Sequence, residues 1–454
     1  MNSISLIKYK IYFFPMNFKR LIFLLILCLN FNLSGNAQEW KKFMGEIGDK
    51  TLMYEDWVYE DYIRTVQLYN AITTNDGLLT QPIVSINSQG SLTLEFDDIT
   101  EDSDSYYVKL IHCNRDWTES QYRPIEYLSS YNEFNITEFD FSISTKVPYV
   151  HYTFTLPSVK VSGNYLLVVY RGGDEEDLIL TKRFIIYEEA ASVSAEVIDM
   201  IGSGEALSKQ RVNFTVNYGG LTLDRPSESV LATVRKNYRW GTAIRDLKPL
   251  FVKQNSGELD FNYFNEENAF MGGNEFRFFD TGYEKAGLNV MDVKRMDDMN
   301  TIYLNHDKSR EDRVFNSQKV QTDINGRYVI GAQAGNADEP EIEADYNEVN
   351  FVLESGNPYD GDVYVIGSFN DWKLKPENKL FYEAASGAYK GSLLLKQGRY
   401  DYLYSVYKNQ KLNDSIIENS YNRTENEYDV IVYYKAITGK GDRVIAYTTV
   451  TVSK

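Results

Sequence analysis

The sequence predicts an all-β protein, three consecutive Ig-like or β-sandwich domains behind a signal peptide. Three observations predict it. Apolar and polar residues alternate with period 2 along most of the chain. Turn-forming residues interrupt that alternation at short intervals. Aromatic residues make up 14% of the chain, with 36 Tyr, and aromatics favour pleated, half-buried strands.

The first 37 residues read as the leader. They contain no acidic side chain, carry Lys8, Lys10, Lys19 and Arg20, and run apolar without a break from Leu21 to Leu29. Asn30 and Asn32 follow, and Gly35-Asn36-Ala37 supplies small residues, so cleavage is expected between Ala37 and Gln38. The basic pair just before the apolar run makes Met16 an alternative start. Cys28 follows Ile26-Leu27 rather than the small residues of a lipoprotein signal, and it leaves with the leader. Cys113 then stands alone, so no internal disulfide is expected and stability rests on packed cores. Nothing after residue 37 is long and apolar enough for a membrane helix, and no direct membrane insertion is expected.

Removing four leader cations takes the net charge from −18 to −22. Nucleic acid and anionic lipid are poor partners for such a surface; solubility is the simplest consequence of the acidic balance.

In the mature chain, Leu92, Leu94 and Phe96 share one face against Thr93 and Glu95. Val150, Tyr152, Phe154 and Leu156 oppose His151, Thr153 and Thr155, and Val212, Phe214, Val216 and Tyr218 oppose Asn213, Thr215 and Asn217. Turns are expected at Gly172-Gly173, Asn255-Ser256-Gly257, Gly272-Gly273-Asn274, Asn325-Gly326 and Gly439-Lys440-Gly441. Many short strands and few helical runs fit sandwiches. A membrane barrel fits less well, because its strands of about ten residues repeat evenly. Composition shifts after the strand Arg183 to Tyr187 and in the Gly- and acid-rich stretch Gly335 to Asp345. The expected domains are therefore 38–190, 191–340 and 341–454. The charged segment Gly282 to Asp312 reads as a long loop of the second domain.

Signatures of chemistry are sparse. His112, His151 and His306 are the three histidines, and no two are spaced as a metal motif or catalytic triad requires. His151 falls on the strand face opposite the core and is expected at the surface or an edge. Cys113 neighbours His112, but adjacent strand residues point to opposite faces, so activation of the thiol is not expected. Gly202-Ser203-Gly204 lacks the spacing of a nucleophile elbow and reads as a loop. Glu101-Asp102-Ser103-Asp104 and Asp174-Glu175-Glu176-Asp177 lie between strands and read as loop tips, without the glycine and distal glutamate of a calcium loop. No catalytic residue, cofactor or metal site is expected.

Several stretches nevertheless form a pattern. HCNRDW (His112 to Trp117), EYL (Glu126 to Leu128), VPYVHYTFTLP (Val147 to Pro157) and SGNYLLVVYRGGDEEDLILTKRF (Ser162 to Phe184) resemble the N-terminal domain of type IX secretion plug proteins. NFTVNYGG (Asn213 to Gly220), GGNEFRFFD (Gly272 to Asp280), VYVIGSFNDW (Val363 to Trp372), GSLLLKQGRYDYLY (Gly391 to Tyr404) and TENEYDVIVYY (Thr424 to Tyr434) continue the resemblance in order. The resemblance implies a non-catalytic periplasmic protein. It would seal the periplasmic end of a large outer-membrane β-barrel translocon, its partner, at the inner face of the outer membrane.

The third domain also resembles glycogen-binding modules. GSFNDW followed by Gly398-Arg399-Tyr400-Asp401-Tyr402 makes Trp372 the candidate sugar-stacking residue, and a periplasmic carbohydrate-binding protein is the alternative function. The competing reading, which is preferred, is a strand-end turn in which Asn370 bonds backbone and Trp372 covers the core. Trp240 and the segment Gly282 to Asp312 are the candidate contact elements for a partner; no pore-interface residue is assigned.

Overall fold

Alternation becomes structure first in the strands that begin at Trp57. The computed structural model describes residues 50–71, 78–200, 207–282, 287–310, 323–331 and 339–452. The expected signal peptide with Ala37 and Gln38, the Gly202-Ser203-Gly204 segment and parts of Gly282 to Asp312 and Gly335 to Asp345 lie outside them. Residues 51–454 form one unit.

The first sandwich comprises β1 (Trp57–Val58), β2 (Ile63–Asn70), β3 (Ile83–Ser85), β4 (Leu92–Asp98), β5 (Tyr106–Cys113), β6 (Phe134–Asn135), β7 (Glu138–Phe141), β8 (Val150–Thr155), β9 (Gly163–Arg171) and β10 (Leu178–Tyr187). One sheet runs β1-β10-β9-β5-β6, with β3 parallel on β10, and faces the sheet β2-β4-β8-β7. Leu94 and Phe96 are fully enclosed between them, and Phe96 stacks on Tyr152 with ring centroids 5.1 Å apart. Each such side chain contributes roughly 1.5–3 kcal/mol by leaving water.

The second sandwich starts with β11 (Ser192–Asp199), β12 (Lys209–Asn217), β13 (Val230–Lys236), β14 (Ile244–Leu247), β15 (Phe251–Lys253), β16 (Glu258–Asp260) and β17 (Ala269–Met271). One of its sheets runs β11-β12-β16-β15, with β17 beside β12. The third contains β18 (Arg277–Asp280), β19 (Val290–Lys294), β20 (Asn300–Leu304), β21 (Asp307–Lys308), β22 (Tyr328–Ile330), β23 (Tyr346–Glu354), β24 (Asp362–Ile366), β25 (Lys379–Glu383), β26 (Ala388–Lys396), β27 (Gly398–Lys408) and β28 (Lys411–Asn413). Its strands join one continuous sheet, β18-β27-β24-β25-β26-β23-β20-β19, which folds round so that Phe351 of β23 and Tyr402 of β27 meet edge to face at 5.3 Å.

The chain then returns. Strand β29 (Glu427–Tyr434) pairs with β13 and β30 (Arg443–Thr451) with β29, rather than with the third sandwich, giving the sheet β14-β13-β29-β30 that closes the second core. Val430 and Val432 share that core with Phe214 and Val216. The expected division at 340/341 is corrected accordingly. Strands β18 to β22 belong with the sheet of β23 to β28, and a domain 341–454 is not one sandwich. The expected loop Gly282 to Asp312 is also corrected: its described part forms β19, β20 and β21, and β20 runs parallel to β23. Ile302 and Leu304 carry that pairing by burying alternate positions in the third core, a period masked in the sequence by the surrounding charge.

Candidate functional site

Strand β10 is buried on both faces. Phe184 and Ile186 point into the first core, while Ile185 packs on Ile431, Tyr433 and Val444 of the second sandwich. Arg183 shares the face of Ile185 by the period of two, and so a guanidinium is carried into the junction. Its Nε and Nη2 donate to Asp56 Oδ2 at 2.9 and 2.6 Å, and its backbone N–H donates to Asp56 Oδ1 at 2.8 Å. Burial alone would raise the Asp56 pKa; the charges of Arg183 and Lys182 outweigh it and hold the carboxyl at about 2.

Around this pair lies a cleft of about 320 Å³, lined from all three sandwiches. Trp240, in a single 3-10 turn after β13, is its central wall. The Arg235 guanidinium lies 4.2 Å from one Trp240 ring and that of Arg183 4.9 Å, while Trp117 meets it edge-on at 5.1 Å. Each cation–π contact of this kind is worth about 0.5–2 kcal/mol. Arg235 is buried and paired with Asp429 of β29; burial disfavours its charge, but the carboxylate more than compensates and raises its pKa. The same contact ties the exchanged strand to β13. On the opposite wall Lys182 reaches Asp371 at 2.6 Å and Lys373 pairs with Glu55, each joining the first sandwich to the third.

Trp372 is half-buried in this wall. Arg239 covers its ring at 4.3 Å and Phe276 packs at 5.7 Å, so one face of the indole, the candidate for sugar stacking, is occupied by protein. Asn370 behaves as a turn residue: its Oδ1 accepts from the Gly367 N–H at 3.1 Å and its Nδ2 donates to the Val365 carbonyl. The turn Asn325-Gly326 has φ of +55° and +79°, and a Cβ on Gly326 would lie 2.6 Å from the Trp372 ring. Glycine is what allows the indole to close on the turn.

A second junction joins the first and third sandwiches. Asp97 of β4 is fully buried; its Oδ1 pairs with His151 Nδ1 at 2.7 Å, and its Oδ2 accepts from Lys396 Nζ at 2.7 Å and from the Tyr346 hydroxyl at 2.6 Å. Burial pulls the Asp97 pKa up, but Lys396 and His151 bring it below the usual carboxylate range. His151 is therefore corrected from surface to interior: its strand face turns away from one core and is covered by another sandwich.

His112 is buried, with Nδ1 2.9 Å from Ser120 Oγ and Nε2 3.1 Å from the Ser162 carbonyl. Cys113 packs with Trp117 and Leu166 instead, and burial pushes its thiol up to about 12, far from a reactive thiolate. His306 is exposed against Glu354. Both acidic stretches are loops, and Arg171 bridges them, 2.8 Å from Asp177 and 3.4 Å from Asp104. Among the described residues no group of three or more His, Cys, Asp or Glu side chains is arranged to hold a metal ion, and no helix is long and apolar enough to cross a membrane. Trp240 was legible as a candidate; Arg183, Arg235 and Asp56 were not, because the pairs they form span 127 and 194 residues and no local pattern marks them.

Residues 63–188, the first sandwich from β2 to β10, match the family model described as the type 9 secretion system plug protein 1st domain. The whole arrangement is similar to the crystal structure, at 2.30 Å resolution, of a hypothetical protein from Parabacteroides merdae ATCC 43184. The TM-score is 0.81 and the identity 28%, over 88% of this chain and 100% of that one. No curated protein matches. The likeness to the plug family thus falls on the sandwich that carries Asp97, His151, Lys182 and Arg183.

Proposed function

We propose that this chain is a non-catalytic plug that binds and seals the periplasmic end of the large outer-membrane β-barrel translocon of type IX secretion. The match of residues 63–188 to the plug first domain carries this reading. The architecture supports it physically. Three sandwiches held by an exchanged strand pair and by buried ion pairs form a preorganised block, which covers a wide opening with little ordering cost on binding. The net charge of −22 expected once the leader is removed favours docking against a basic rim and repels polyanions.

The test is affinity purification of the tagged chain from detergent extracts of the envelope. A large barrel should copurify, and its recovery should fall as ionic strength rises. Copurification of no barrel overturns the plug; recovery indifferent to salt overturns only the electrostatic contribution. Deleting the protein should also admit bulky antibiotics to cells whose translocon is present, and not to cells lacking both.

A further inference from the structure

The charge of the three-way cleft runs against that of the protein. Lys182, Arg183, Arg235, Arg245, Arg327 and Lys373 line it, with Glu55, Asp56 and Asp371 as the opposing carboxylates. Those three acids are already committed, to Lys373, Arg183 and Lys182 respectively, and Arg235 is neutralised by Asp429. Two guanidiniums are less tightly held. Arg245 donates from Nη2 to the Trp240 carbonyl at 2.9 Å and has no carboxylate within ion-pair distance among the described residues. Arg327 spends Nε on the Ile324 carbonyl, and its nearest ion-pair contact is Glu427, at 3.9 Å. The Glu427 carboxylate is itself engaged by the Tyr238 hydroxyl.

Two further polar atoms in the same walls are unsatisfied. Ser368 Oγ and Asn325 Oδ1 are shielded from solvent and have no hydrogen-bond partner. A shielded polar atom without a partner costs stability, and a ligand that reaches it recovers that cost. Meanwhile Arg245 stays open to solvent, its ring neighbour Trp240 lying 5.7 Å from the guanidinium carbon. Burial and the nearby Arg183 charge both disfavour the Arg245 cation, so an anion placed there is drawn in.

We infer that this cleft binds carboxylate groups, received by the guanidiniums of Arg245 and Arg327 beside Trp240, with the Ser368 hydroxyl as a further donor. Planar guanidiniums match carboxylates with two parallel hydrogen bonds. Arg245, without a carboxylate partner, and Arg327, held only by its 3.9 Å contact to Glu427, balance one or two carboxylates, and a cleft of about 320 Å³ takes a small diacid or a pair of acidic side chains. Nucleic acid is too large and too charged for it. The shared chemistry has two sources, a free small dicarboxylate or an acidic peptide segment. The inference does not depend on whether the chain seals a barrel.

The experiment titrates the full mature chain with succinate and, separately, with the blocked peptide acetyl-Asp-Glu-Asp-amide, following tryptophan emission from Trp240. Saturable change with either probe is expected, with none from dimethyl succinate. Succinate alone active identifies a free diacid; peptide alone active identifies a protein-borne segment. Arg245→Gln, with its thermal unfolding unchanged, should weaken the response at least tenfold, and Arg327→Gln provides the second variant. The inference is overturned if neither probe saturates, if both variants bind like the wild type, or if inorganic phosphate binds more tightly than either carboxylate.

Discussion

Asp97 and Lys396 lie 299 residues apart in the chain and 2.7 Å apart in the fold, each almost completely buried. The pair joins β4 of the first sandwich to β26 of the third, and Lys396 also sits 4.1 Å from the Tyr149 ring. Lys396→Met keeps the volume and removes the charge, leaving a buried carboxylate with only His151 and Tyr346. It is expected to lower unfolding free energy by about 3–5 kcal/mol in urea titration. Adding Asp97→Asn should restore at least half of the loss. Equal stability of Lys396→Met and wild type would show that the junction does not depend on the pair.

Asp401 is expected to make stability depend on pH in the opposite sense to most carboxylates. Its Oδ2 accepts from the Ile324 and Gly326 N–H groups at 2.6 and 3.1 Å, while Oδ1 is buried without a partner. Burial, reinforced by Asp323, raises its pKa to about 7. The folded state thus holds a proton that the unfolded chain releases near pH 4. The contribution is fully present below that pH and is lost as pH rises through about 7. Asp401→Asn keeps the acceptor and abolishes the titration. Its stability relative to wild type should therefore improve between pH 4 and 8, by up to about 4 kcal/mol at about 1.4 kcal/mol per pKa unit. A difference independent of pH would sink this account.

What the sequence made legible was set by the range of the interaction concerned. Leu92, Leu94 and Phe96, or Val212, Phe214 and Val216, announce their strand because alternation is a property of neighbours, and all six are buried as expected. The exchange of β29 and β30 is not announced by anything local. Tyr428 to Tyr434 alternates equally well in either sandwich, and long-range contacts such as the Arg235 to Asp429 pair, 194 residues apart, record the choice. His151 illustrates the same limit. Period 2 locates it opposite the first core, and nothing in the strand says that Asp97, Tyr346 and Lys396 cover that opposite face. The cleft fails to appear for the same reason: Asp56, Arg183, Trp240, Arg327 and Asp371 come from five separate stretches.

Gly326→Ala is expected to open the wall of the cleft. The position has φ of +79°, and the added methyl would meet Trp372 and two Phe276 ring atoms at 2.6–2.9 Å. Left-handed backbone costs about 1 kcal/mol for alanine and overpacking adds about 1–3 kcal/mol. Urea unfolding should show the loss, together with a red shift of tryptophan emission as Trp372 is displaced toward water. An unshifted spectrum with wild-type stability would mean that the indole does not rest on this turn.

Maltooligosaccharides are expected not to change the emission of Trp372. Sugar-binding platforms present a free aromatic face, since stacking gains come from removing that face and the ring of the sugar from water together. Here one face is taken by the Arg239 guanidinium, itself anchored by Asp414 at 2.9 Å, and Phe276 closes the side. Freeing the face means breaking a cation–π contact worth about 0.5–2 kcal/mol and exposing a guanidinium already committed to its carboxylate. Titrating the full chain with maltoheptaose should therefore leave emission flat. A saturable change abolished by Trp372→Phe would establish the glycan-binding alternative, and a change that survives in that variant would place any sugar elsewhere. Arg239→Gln sharpens the test: if protein packing is what blocks the indole, that variant alone should gain a weak response.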